Sequence, residues 1–500
     1  MTIKKLIVIF FFNIMKNLNS ILENTFYKSI IGDKNQKINN IHFNSKAVKK
    51  NDLFIATEGL RTDGHFFIRD AIENGANTII CEKFPAILKN KITYVLVKNS
   101  LKILPIIAKN FFQNPSEKLK LIGVTGTNGK TSIATLLYRL FKKLNYKVGL
   151  ISTIENFVDN KKYKSTKTTP DIISLNNLIS KMVNSKCEYC FMEVSSHGID
   201  QKRIKGLKFT GGIFTNLTHE HLDYHKNFLE YLNVKKSFFD NLPKEAFALS
   251  NLDDKNGKII LQNTKAKKFT YSLKNFSDFK AKILENHFDS TFVQFNKKEI
   301  WIRFIGEFNI YNLLAVYACA VILGKDKLEV LKIISNLKSV NGRLETIYSK
   351  EKKITVIIDY AHTPDALKNV LETVLKIKKK NQNLITVIGA GGDRDKEKRS
   401  KMGKIASILS DKIILTSDNP RTENPEEIIS DIKKGISNED LKKVISITNR
   451  REAIKTAILF SKKNDIIMIA GKGHENYQEI NGVFYDFNDK EISENFLFNF

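Results

Sequence analysis

Residues 121–132, LIGVTGTNGKTS, combine glycines, a lysine and hydroxyl side chains at a spacing suited to binding phosphate. An apolar run ends at the glycines, and the helical pattern IATLLYRLFKKL follows Ser132 directly. Glycines let backbone N–H groups surround phosphate oxygens, and the start of a helix adds partial positive charge. Lys130 would reach the terminal phosphates, and Thr131 would bind Mg²⁺. The stretch predicts a strand, a phosphate loop and a helix that bind a nucleoside triphosphate through Gly126, Thr127, Asn128, Gly129, Lys130, Thr131 and Ser132.

A second group of residues offers metal ligands. Glu193 ends the strand-like run FMEV, and the run THEHLDYH at 218–225 contains two carboxylates and three histidines, among them His221. Oxygen donors with an imidazole suit Mg²⁺ or Mn²⁺ beside a phosphate loop better than zinc, since no thiolate lies at a suitable spacing. We expect Glu193 and His221 at a metal site; the alternative is a solvated polar loop.

Four apolar runs in the last third of the chain each end in a polar, partly cationic loop. In open α/β sheets, ligands bind at the carboxyl ends of the strands. Arg394 and Arg421 could each grip a carboxylate through two hydrogen bonds, and Glu475 could accept a hydrogen bond from an ammonium group. This combination favours an amino-acid substrate, although each loop alone is also compatible with ordinary turn chemistry. The four loops are 359–362, 391–395, 418–421 and 471–475.

Alternating strands and helices must position these motifs. Residues 40–83 read as a small α/β unit, a helix is expected over roughly 100–112, and strands alternate with helices from about 116 to 340. The stretch 265–305 looks like short antiparallel strands, and a further alternating segment begins near 341. We predict three α/β domains: a small one at 1–99, a central one at 100–340 with a parallel sheet and the phosphate loop, and a Rossmann-like one at 341–500.

The formal net charge of +28 is spread along the chain in 70 lysines and 11 arginines. Nucleic-acid binding would require basic residues clustered with aromatic ones, so we expect no nucleic-acid partner. Because lysine is used so widely, the remaining arginines are expected where a planar fork is needed. Five of the eleven lie in or beside the motifs: Arg203, Arg343, Arg394, Arg399 and Arg421.

The first residues, MTIKKLIVIFFFNIMKN, imitate a signal peptide but lack a small-residue cleavage site. The apolar run is also too short to span a bilayer. Met15 is a candidate true start, which would make residues 1–14 an upstream extension. We expect a cytoplasmic protein without stable membrane insertion.

Together the motifs resemble the Mur ligase family. The resemblance runs in the family's order from about residue 40 to 490. The matching pieces are GVTGTNGKTS (123–132), TTP (168–170), EVSSHGIDQKR (193–203), NLTHEHLDYH (216–225), GEFNIYNLLA (306–315), NGRLE (341–345), DYAHTPDAL (359–367), GGDRDKEKR (391–399), DNPRTENP (418–425) and AGKGHENYQ (470–478).

The resemblance implies an ADP-forming ligase that joins an amino acid to a nucleotide-linked peptide. In the members most similar to this chain, ATP phosphorylates the D-Glu side-chain carboxylate of UDP-N-acetylmuramoyl-L-Ala-D-Glu, and an amine then attacks the acyl phosphate. The step belongs to peptidoglycan synthesis. It implies an N-terminal UDP-sugar domain, a central ATP domain and a C-terminal amino-acid domain, and we expect a monomer.

The resemblance also assigns residues by position. Thr131, Glu193 and His221 match the Mg²⁺ site, and Lys235 matches a lysine that is carbamylated in the family and helps to hold a metal. Lys130, Glu193, His221 and Lys235 are thereby implied as catalytic. Asn309, Arg343, Asp359 and His362 match further nucleotide contacts. The implied UDP-peptide contacts are Ser45, Thr168, Thr169, Ser195, Gln201 and Arg203.

The sequence Asp418-Asn419-Pro420-Arg421 matches the family's members that add meso-diaminopimelate. Diaminopimelate differs from lysine by one distal carboxylate, for which Arg421 offers a fork. Leaving such a guanidinium unpaired would penalise lysine by roughly 1–3 kcal/mol. Arg394, Gly471 and Glu475 match the other amino-acid contacts. The alternatives are a same-fold ligase with L-lysine or another amino acid or acceptor, and a decayed nucleotide- or nucleic-acid-binding protein.

Some positions depart from the usual patterns. Val124 stands where the Walker pattern has its first Gly, and Asn341 stands where Pro usually precedes Gly-Arg. Asn44 and Lys46 flank Ser45 where the family has Asp-Ser-Arg, and residues 60–62 and Lys167 also differ. The first-domain changes and Lys167 concern recognition of the UDP-linked substrate, whereas the ATP and amino-acid motifs are intact.

Overall fold

The computed structural model of the chain describes residues 15–59, 62–218, 224–287 and 290–499. Residues 1–14, including the candidate extension, and His221 lie outside the described residues. The described chain forms three α/β units, each built around its own sheet. The predicted three-domain α/β architecture is therefore confirmed.

The first unit contains a five-stranded sheet in the order β2-β7-β6-β5-β4. Its strands pair in parallel except β2, which runs antiparallel to β7 at one edge. The elements in chain order are β1 (Lys16–Asn17), α1 (Leu18–Ile21), β2 (Tyr27–Ile31), β3 (Lys37–Ile38), β4 (Ile41–His42), β5 (Asp52–Ile55), α2 (Ile68–Glu73), β6 (Ala76–Cys81), β7 (Thr93–Val97) and α3 (Ser100–Phe111).

Helix α3 packs on this first sheet. Its buried residues Ile103, Ile107 and Phe111 share one apolar cluster with Leu53 of β5 and Val95 of β7. Asn99 caps the start of the helix, because its side chain accepts a hydrogen bond from the Lys102 N–H. These contacts favour a boundary near residue 112, and we propose that position in place of residue 99.

The central unit contains an eleven-stranded sheet in the order β11-β10-β9-β12-β8-β13-β14-β15-β16-β17-β18. The elements in chain order are β8 (Lys120–Thr125), α4 (Lys130–Lys143), β9 (Val148–Ile151), β10 (Glu155–Val158), β11 (Lys161–Lys164), α5 (Ile172–Asn184), β12 (Tyr189–Glu193), α6 (Ser196–Asp200), β13 (Gly211–Phe214), α7 (Phe228–Asp240), β14 (Phe247–Asn251), α8 (Gly257–Ile260), β15 (Lys267–Ser272), β16 (Phe279–Asn286), β17 (Thr291–Phe295), β18 (Lys298–Ile302), α9 (Glu307–Ile322) and α10 (Lys327–Ser335).

In the run β9-β12-β8-β13-β14-β15-β16 of this sheet, each strand is parallel to the next, whereas β10 runs antiparallel to both β9 and β11. The inner members of this run, such as Tyr189–Glu193, are buried along their whole length, as strands covered by helices on both faces must be. Only β16, β17 and β18 pair antiparallel within 265–305. The antiparallel prediction for that stretch was therefore wrong for β15, which extends the parallel sheet beside β14.

The third unit contains a six-stranded sheet in the order β19-β20-β24-β21-β22-β23, which is parallel except at β19. The elements are β19 (Glu345–Ser349), β20 (Ile354–Asp359), α11 (Pro364–Ile377), β21 (Leu384–Ile388), α12 (Glu397–Leu409), β22 (Lys412–Leu415), α13 (Pro425–Lys433), β23 (Val444–Ser446), α14 (Arg450–Phe460), β24 (Ile466–Ala470), β25 (Tyr477–Ile480), β26 (Val483–Asp486) and α15 (Asp489–Phe498).

Parallel pairing brings the polar loops of the third unit to one edge of its sheet. Strands β20, β24, β21 and β22 are consecutive neighbours, and each ends where one of the four predicted loops begins. The structure thus gathers the loops after Asp359, Ile388, Leu415 and Ala470 on the carboxyl edge, the edge at which open α/β sheets bind ligands.

No helix in the described part of the chain is long and apolar enough to cross a bilayer. The four cysteines, Cys81, Cys187, Cys190 and Cys319, are free and buried. The pair at 187 and 190 behaves as small apolar residues, because both side chains belong to the core on one side of the central sheet.

A buried ion pair locks the third unit. Arg450 at the start of α14 donates from Nε and Nη2 to the two carboxylate oxygens of Asp489 at 2.8 and 2.7 Å, and both side chains are fully buried. Removing one partner would leave the other charge buried without compensation.

We expect Asp489→Asn to destabilise the third unit by about 3 kcal/mol or more, since Arg450 cannot lose its charge. The melting temperature and the hydrogen-exchange protection of β24 measure the effect. The control is Glu372→Gln, which removes the same charge from a solvent-exposed pair with Lys368. Equal melting temperatures for the two variants would contradict the prediction.

Candidate functional site

The phosphate loop connects β8 to α4 and is shaped by two glycines. Gly126 and Gly129 have φ of +147° and +88°, a region that side chains other than glycine rarely adopt. A Cβ at Gly126 would overlap the hydroxyl of Thr215, and one at Gly129 would lie 2.6 Å from Oδ1 of Asn312. The loop therefore follows a path that only glycine allows at these two positions, and its helix begins directly with Lys130.

Two lysines contact the carbonyl oxygen of Gly126. Nζ of Lys130 donates to it at 2.9 Å and to the Thr127 carbonyl at 2.6 Å. Nζ of Lys235 donates to the same oxygen at 2.9 Å and lies 4.6 Å from the centre of the Tyr231 ring. Although it carries a charge, Lys235 is only 1% exposed. The base of the phosphate loop is therefore held by two ammonium groups.

The start of helix α7 positions Lys235. The side chain of Asn227 accepts a hydrogen bond from the Glu230 N–H, and the Glu230 carboxylate accepts one from the Lys226 N–H. This reciprocal arrangement fixes the first turn of a helix. Lys235 lies just over one turn further along, on the buried face together with Tyr231 and Phe239.

Glu193 ends β12 and lies against the first turn of α4. Its carboxylate accepts hydrogen bonds from the Thr131 hydroxyl at 2.9 Å and the Thr153 N–H at 2.7 Å. Burial raises the pKa of this carboxyl, while Lys130, the two threonines and Arg343 act in the opposite direction. A buried carboxylate paired with a hydroxyl is a donor set that Mg²⁺ prefers, with phosphate oxygens and water to complete the shell. The two residues fit the predicted metal.

The residues assigned to the UDP-linked peptide form a second network around Thr169. Its hydroxyl donates to the Glu193 carbonyl at 2.9 Å and accepts from the Ser195 N–H at 3.0 Å. Nη1 of Arg203 donates to the Thr169 carbonyl at 2.7 Å, and its Nε and Nη2 donate to the side-chain oxygen of Gln201. Thr168 joins the network through its hydroxyl contact with Thr153 at 3.0 Å.

Arg343 links the central unit to the third one. Its guanidinium lies 4.7 Å from the centre of the Tyr360 ring, and it lowers the pKa of both Glu193 and Asp359. Burial is the larger influence on Asp359 and raises its pKa overall, even though its carboxylate accepts from the Leu344 N–H at 2.8 Å. The Nε of Arg343 is buried without a hydrogen-bond partner among the described residues. This unpartnered donor between two carboxylates is well suited to an incoming anion.

Two other residues assigned to the nucleotide lie in different places: His362 contacts the Tyr360 ring, which Arg343 also contacts, whereas Asn309 lies in α9 next to Asn312, which contacts the phosphate loop. His362 Nδ1 lies 2.9 Å from the Tyr360 carbonyl, and Asn309 is buried and donates to the Ile305 carbonyl at 2.9 Å. His474 packs on the Tyr360 ring, and burial with the cation Arg343 lowers its pKa to about 3. His474 is therefore a neutral imidazole at physiological pH.

The amino-acid motif forms a compact cluster of charged and amide groups. Asn419 donates from its side chain to Glu475 at 2.8 Å and accepts from Nζ of Lys472 at 2.9 Å. Lys472 also lies 3.3 Å from Glu475 and 3.7 Å from Asp418, and it is fully buried. A Cβ at Gly471, whose φ is +117°, would lie within 2.5 Å of the Asp418 carboxylate. The absence of a side chain there lets that carboxylate approach the backbone.

Arg421 lies at the rim of this cluster with a left-handed backbone, φ +52°. Its Nε donates to Glu479 at 3.1 Å and its Nη1 to the Gly392 carbonyl at 2.7 Å. Nη1 also lies beside Gly391, as does the exposed side chain of Arg394. The Arg421 fork is thus already held by the protein at two positions, and both arginines lie close to the Gly391 backbone.

The structure brings together most of the predicted site residues, in two groups. The first group surrounds the phosphate loop and Glu193, and the second surrounds Asn419. Pro420 belongs to the second group, where its carbonyl lies against Gly392. Ser45 is apart from both, in a turn of the first unit, where its carbonyl accepts from the Asn74 side chain at 3.0 Å.

Sequence reasoning missed three polar residues of the site. Lys472 is the buried centre of the amino-acid cluster, Glu479 holds Arg421, and Thr153 holds Glu193. The Gly-Lys-Gly of 471–473 was a weak signal for Lys472, because glycines on both sides of a residue at a strand end indicate that the backbone lies close to other segments of the chain. Neither Thr153 nor Glu479 had a comparable signal.

We expect Gly126→Ala to lower nucleotide affinity about tenfold or more, because the added methyl group would displace the loop. A loss of only ~1.4 kcal/mol in binding free energy has that effect. Gly324→Ala is the control: its φ is also positive, at +79°, but no atom lies within 4 Å of the added Cβ. Calorimetric titration with ATP measures both variants. Unchanged affinity in the Gly126 variant would contradict the role given to this loop.

Three family models match the chain: "Mur ligase family, catalytic domain" over residues 37–112, "Mur ligase middle domain" over 124–320 and "Mur ligase, glutamate ligase domain" over 342–473. The protein named UDP-N-acetylmuramoyl-L-alanyl-D-glutamate–2,6-diaminopimelate ligase in Phocaeicola vulgatus is 52% identical over 475 residues, which are 95% of this chain and 98% of that protein. Its namesake in Parabacteroides distasonis is 53% identical over 462 residues, with 92% and 95% covered.

A solved structure of a ligase with the same name superimposes with a TM-score of 0.69 at 29% identity, covering 97% of this chain and 99% of the other. Matches of this extent include all three units and both groups of site residues. The chain therefore belongs to the Mur ligase family.

Proposed function

We propose that the protein is an ATP-dependent, ADP-forming ligase that adds meso-diaminopimelate to the D-Glu side-chain carboxylate of UDP-N-acetylmuramoyl-L-Ala-D-Glu, a step of peptidoglycan synthesis. The observation that carries the proposal is the cluster around Asn419, which offers carboxylates for an ammonium group and arginines for a carboxylate. The same chain also contains a phosphate loop and the buried carboxylate of Glu193, which is suited to binding Mg²⁺. The names of the relatives that match nearly the whole chain agree with this reaction.

The chemistry requires a carboxylate to become an electrophile. Transfer of the γ-phosphoryl group of ATP to the carboxylate oxygen gives an acyl phosphate, and the amine then displaces phosphate. Two anions must approach each other in the first step, so neutralisation of charge supplies much of the rate enhancement. Lys130 would supply it, a role supported by the contacts of its ammonium with the phosphate-loop carbonyls of Gly126 and Thr127.

Thr131 and Glu193 would hold Mg²⁺, with His221 as the further ligand that the family resemblance implies. Bound Mg²⁺ would neutralise charge on the phosphate oxygens and orient them. The Thr131–Glu193 hydrogen bond keeps the two oxygen donors together. Thr153 limits rotation of the Glu193 carboxylate.

Lys235 is the proposed site of carbamylation. A carbamate converts an ammonium into an anionic oxygen ligand, which would turn the cation beneath the phosphate loop into a carboxylate-like group. The burial of Lys235 and its position against the Gly126 carbonyl support this assignment, because a carbamate there would lie at the base of the phosphate loop.

The other assignments divide between the two ends of the substrate. We place the nucleotide between the phosphate loop and Arg343, Asp359, His362 and Asn309. Thr168, Thr169, Ser195, Gln201 and Arg203 would bind the peptide of the UDP-linked acceptor. Ser45 would contact its UDP-sugar end, because it lies in a different unit from the other five.

Specificity for diaminopimelate over L-lysine would reside in Arg421, beside Arg394. The distal carboxylate can meet the remaining donors of the Arg421 fork, whose orientation is set by Glu479 and the Gly392 carbonyl. Lysine would leave these donors without a partner. Asp418, Asn419, Gly471 and Glu475 would receive the amino-acid ammonium and its flanking groups.

We further propose a cytoplasmic monomer that acts without a nucleic-acid partner. A ligase of the same fold with L-lysine or another amino acid or acceptor is the runner-up, and the experiment below separates it from the main proposal.

The first test is phosphate release with Mg²⁺-ATP, UDP-N-acetylmuramoyl-L-Ala-D-Glu and either meso-diaminopimelate or L-lysine. We expect release with diaminopimelate and little with lysine. Arg421→Met should reduce this preference about 5- to 150-fold, since it removes about 1–3 kcal/mol of discrimination. The control, Arg451→Met, removes an exposed arginine and should keep the preference. Equal use of both amino acids by the unaltered protein would overturn the specificity.

The second test concerns the carbamate. In ¹³C-bicarbonate, the unaltered protein should show a carbamate carbonyl signal by ¹³C nuclear magnetic resonance. Lys235→Ala should lose the signal, whereas Lys236→Ala should keep it, because Lys236 is held by Asp240 at 2.8 Å. A signal that persists in the Lys235 variant would place the carbamate elsewhere.

A further inference from the structure

Lys472 has a buried ammonium group among the residues assigned to the substrate amino acid. Its side chain is 0% exposed, and Nζ lies 2.9 Å from Oδ1 of Asn419, 3.3 Å from Oε2 of Glu475 and 3.7 Å from Oδ1 of Asp418. Fully buried lysines are rare in proteins unless they are paired. The ammonium of Lys472 therefore contacts the same side chains that would receive the ammonium group of the substrate.

The charges around this position leave one negative charge for a ligand. Asp418 and Glu475 are two carboxylates, and Lys472 balances only one of them. The nearby Arg450 does not balance the other, because its guanidinium is bound through two hydrogen bonds to Asp489. With Lys472 in place, the cluster is suited to accept one ammonium. Without it, two close carboxylates would face each other in a buried site.

Two such carboxylates share a proton more readily than they ionise together. The pKa of Glu475 lies above its ordinary value, because burial and Asp418 raise it more than Lys472 and the Asn419 amide lower it. A protonated Glu475 cannot attract an ammonium group. The lysine therefore controls how much of the binding-competent, ionised form is present.

We propose that Lys472 is a positioning residue for the amino-acid substrate: its ammonium keeps Glu475 ionised and fixed against Asn419, so that the site can bind the ammonium group of diaminopimelate. The inference rests on the proposed function and identifies Lys472 as the cation that balances the charge of Glu475 in its amino-acid site. Lys472 is part of the site's charge and takes no part in bond making.

Other titratable groups also face Glu475 and bear on its ionisation. The charge of Glu475 raises the pKa of Tyr360 in the loop after β20, of Tyr477 in β25 and of Arg450 in α14. The two tyrosines have raised pKa values, mainly through burial, and are neutral near pH 7. Among the groups facing Glu475 in the described chain, Lys472 is the cation that makes direct contact. Asp418 acts on Glu475 as well, from the loop after β22.

The test is the steady-state kinetics of Lys472→Met with diaminopimelate varied and the other substrates saturating. If one Glu475 in ten stays ionised, the KM for diaminopimelate rises about tenfold while kcat changes little. Because the group must lose a proton to bind, the KM of the variant should fall as pH rises between about pH 6 and pH 9. The KM of the unaltered protein should change less over that range. The matched control is Lys455→Met, an exposed lysine of the same unit.

A double-mutant cycle with Glu475→Gln separates this role from simple packing. If Lys472 acts through the charge of Glu475, adding Lys472→Met to Glu475→Gln should leave the KM within about twofold of the single Gln variant. Multiplied effects of the two substitutions, or a pH-independent KM in Lys472→Met, would overturn the proposal.

Failure to fold is checked separately, by melting temperature, and Lys472→Gln provides a second, polar variant with the same expected pH profile. Activity of the unaltered protein and of Lys455→Met with diaminopimelate is the reference for the proposed function. If both are inactive, the proposed function fails. If both are active and the lysine variants show a normal, pH-independent KM, only the role of Lys472 fails.

Discussion

Removing the Glu193 carboxylate from water is the constraint on which the arrangement of the central site depends. A buried carboxylate needs hydrogen-bond donors or cations around it. Its donors come from separate parts of the chain, Thr131 at the start of α4 and Thr153 after β9. They can meet because β12, which carries Glu193, lies between β8 and β9 in the sheet. The order β9-β12-β8 thus sets the geometry of the proposed Mg²⁺ site.

The same carboxylate also connects the units. Arg343, at the start of the third unit, lowers the pKa of both Glu193 and Asp359. An arginine between two buried carboxylates attracts both, and its unpartnered Nε leaves a place for an anion. The third unit is therefore coupled electrostatically to Glu193 at the phosphate loop through Arg343. The amino-acid cluster differs because its counterion, Lys472, belongs to the chain itself.

The sequence predicted the ends of the strands better than the contacts made beyond them. The phosphate loop, Glu193 and the four loops of the third unit could be located because apolar runs that end in Gly, Asp or Asn are local signals. The direction of β15 could not be predicted, since an isolated strand shows nothing of its partner. Lys472 was overlooked for a related reason: one lysine among seventy looks solvated until the fold buries it. His221 lies outside the described residues, so its assignment stays a prediction.

Arginine shows the limit of this reasoning most clearly. In a chain that uses lysine by default, an arginine indicates a need for its planar fork. Arg399 meets that need, since its two Nη atoms donate to the two oxygens of Glu423 at 3.0 and 2.9 Å. Arg450 does so as well, but it lay outside every motif. The sequence shows two adjacent arginines, Arg450 and Arg451, of which the first is buried and the second exposed. Composition can indicate that some arginines are needed for their planar guanidinium groups. The start of α14 after its cap residue Asn449 decides that Arg450, and not Arg451, points inward.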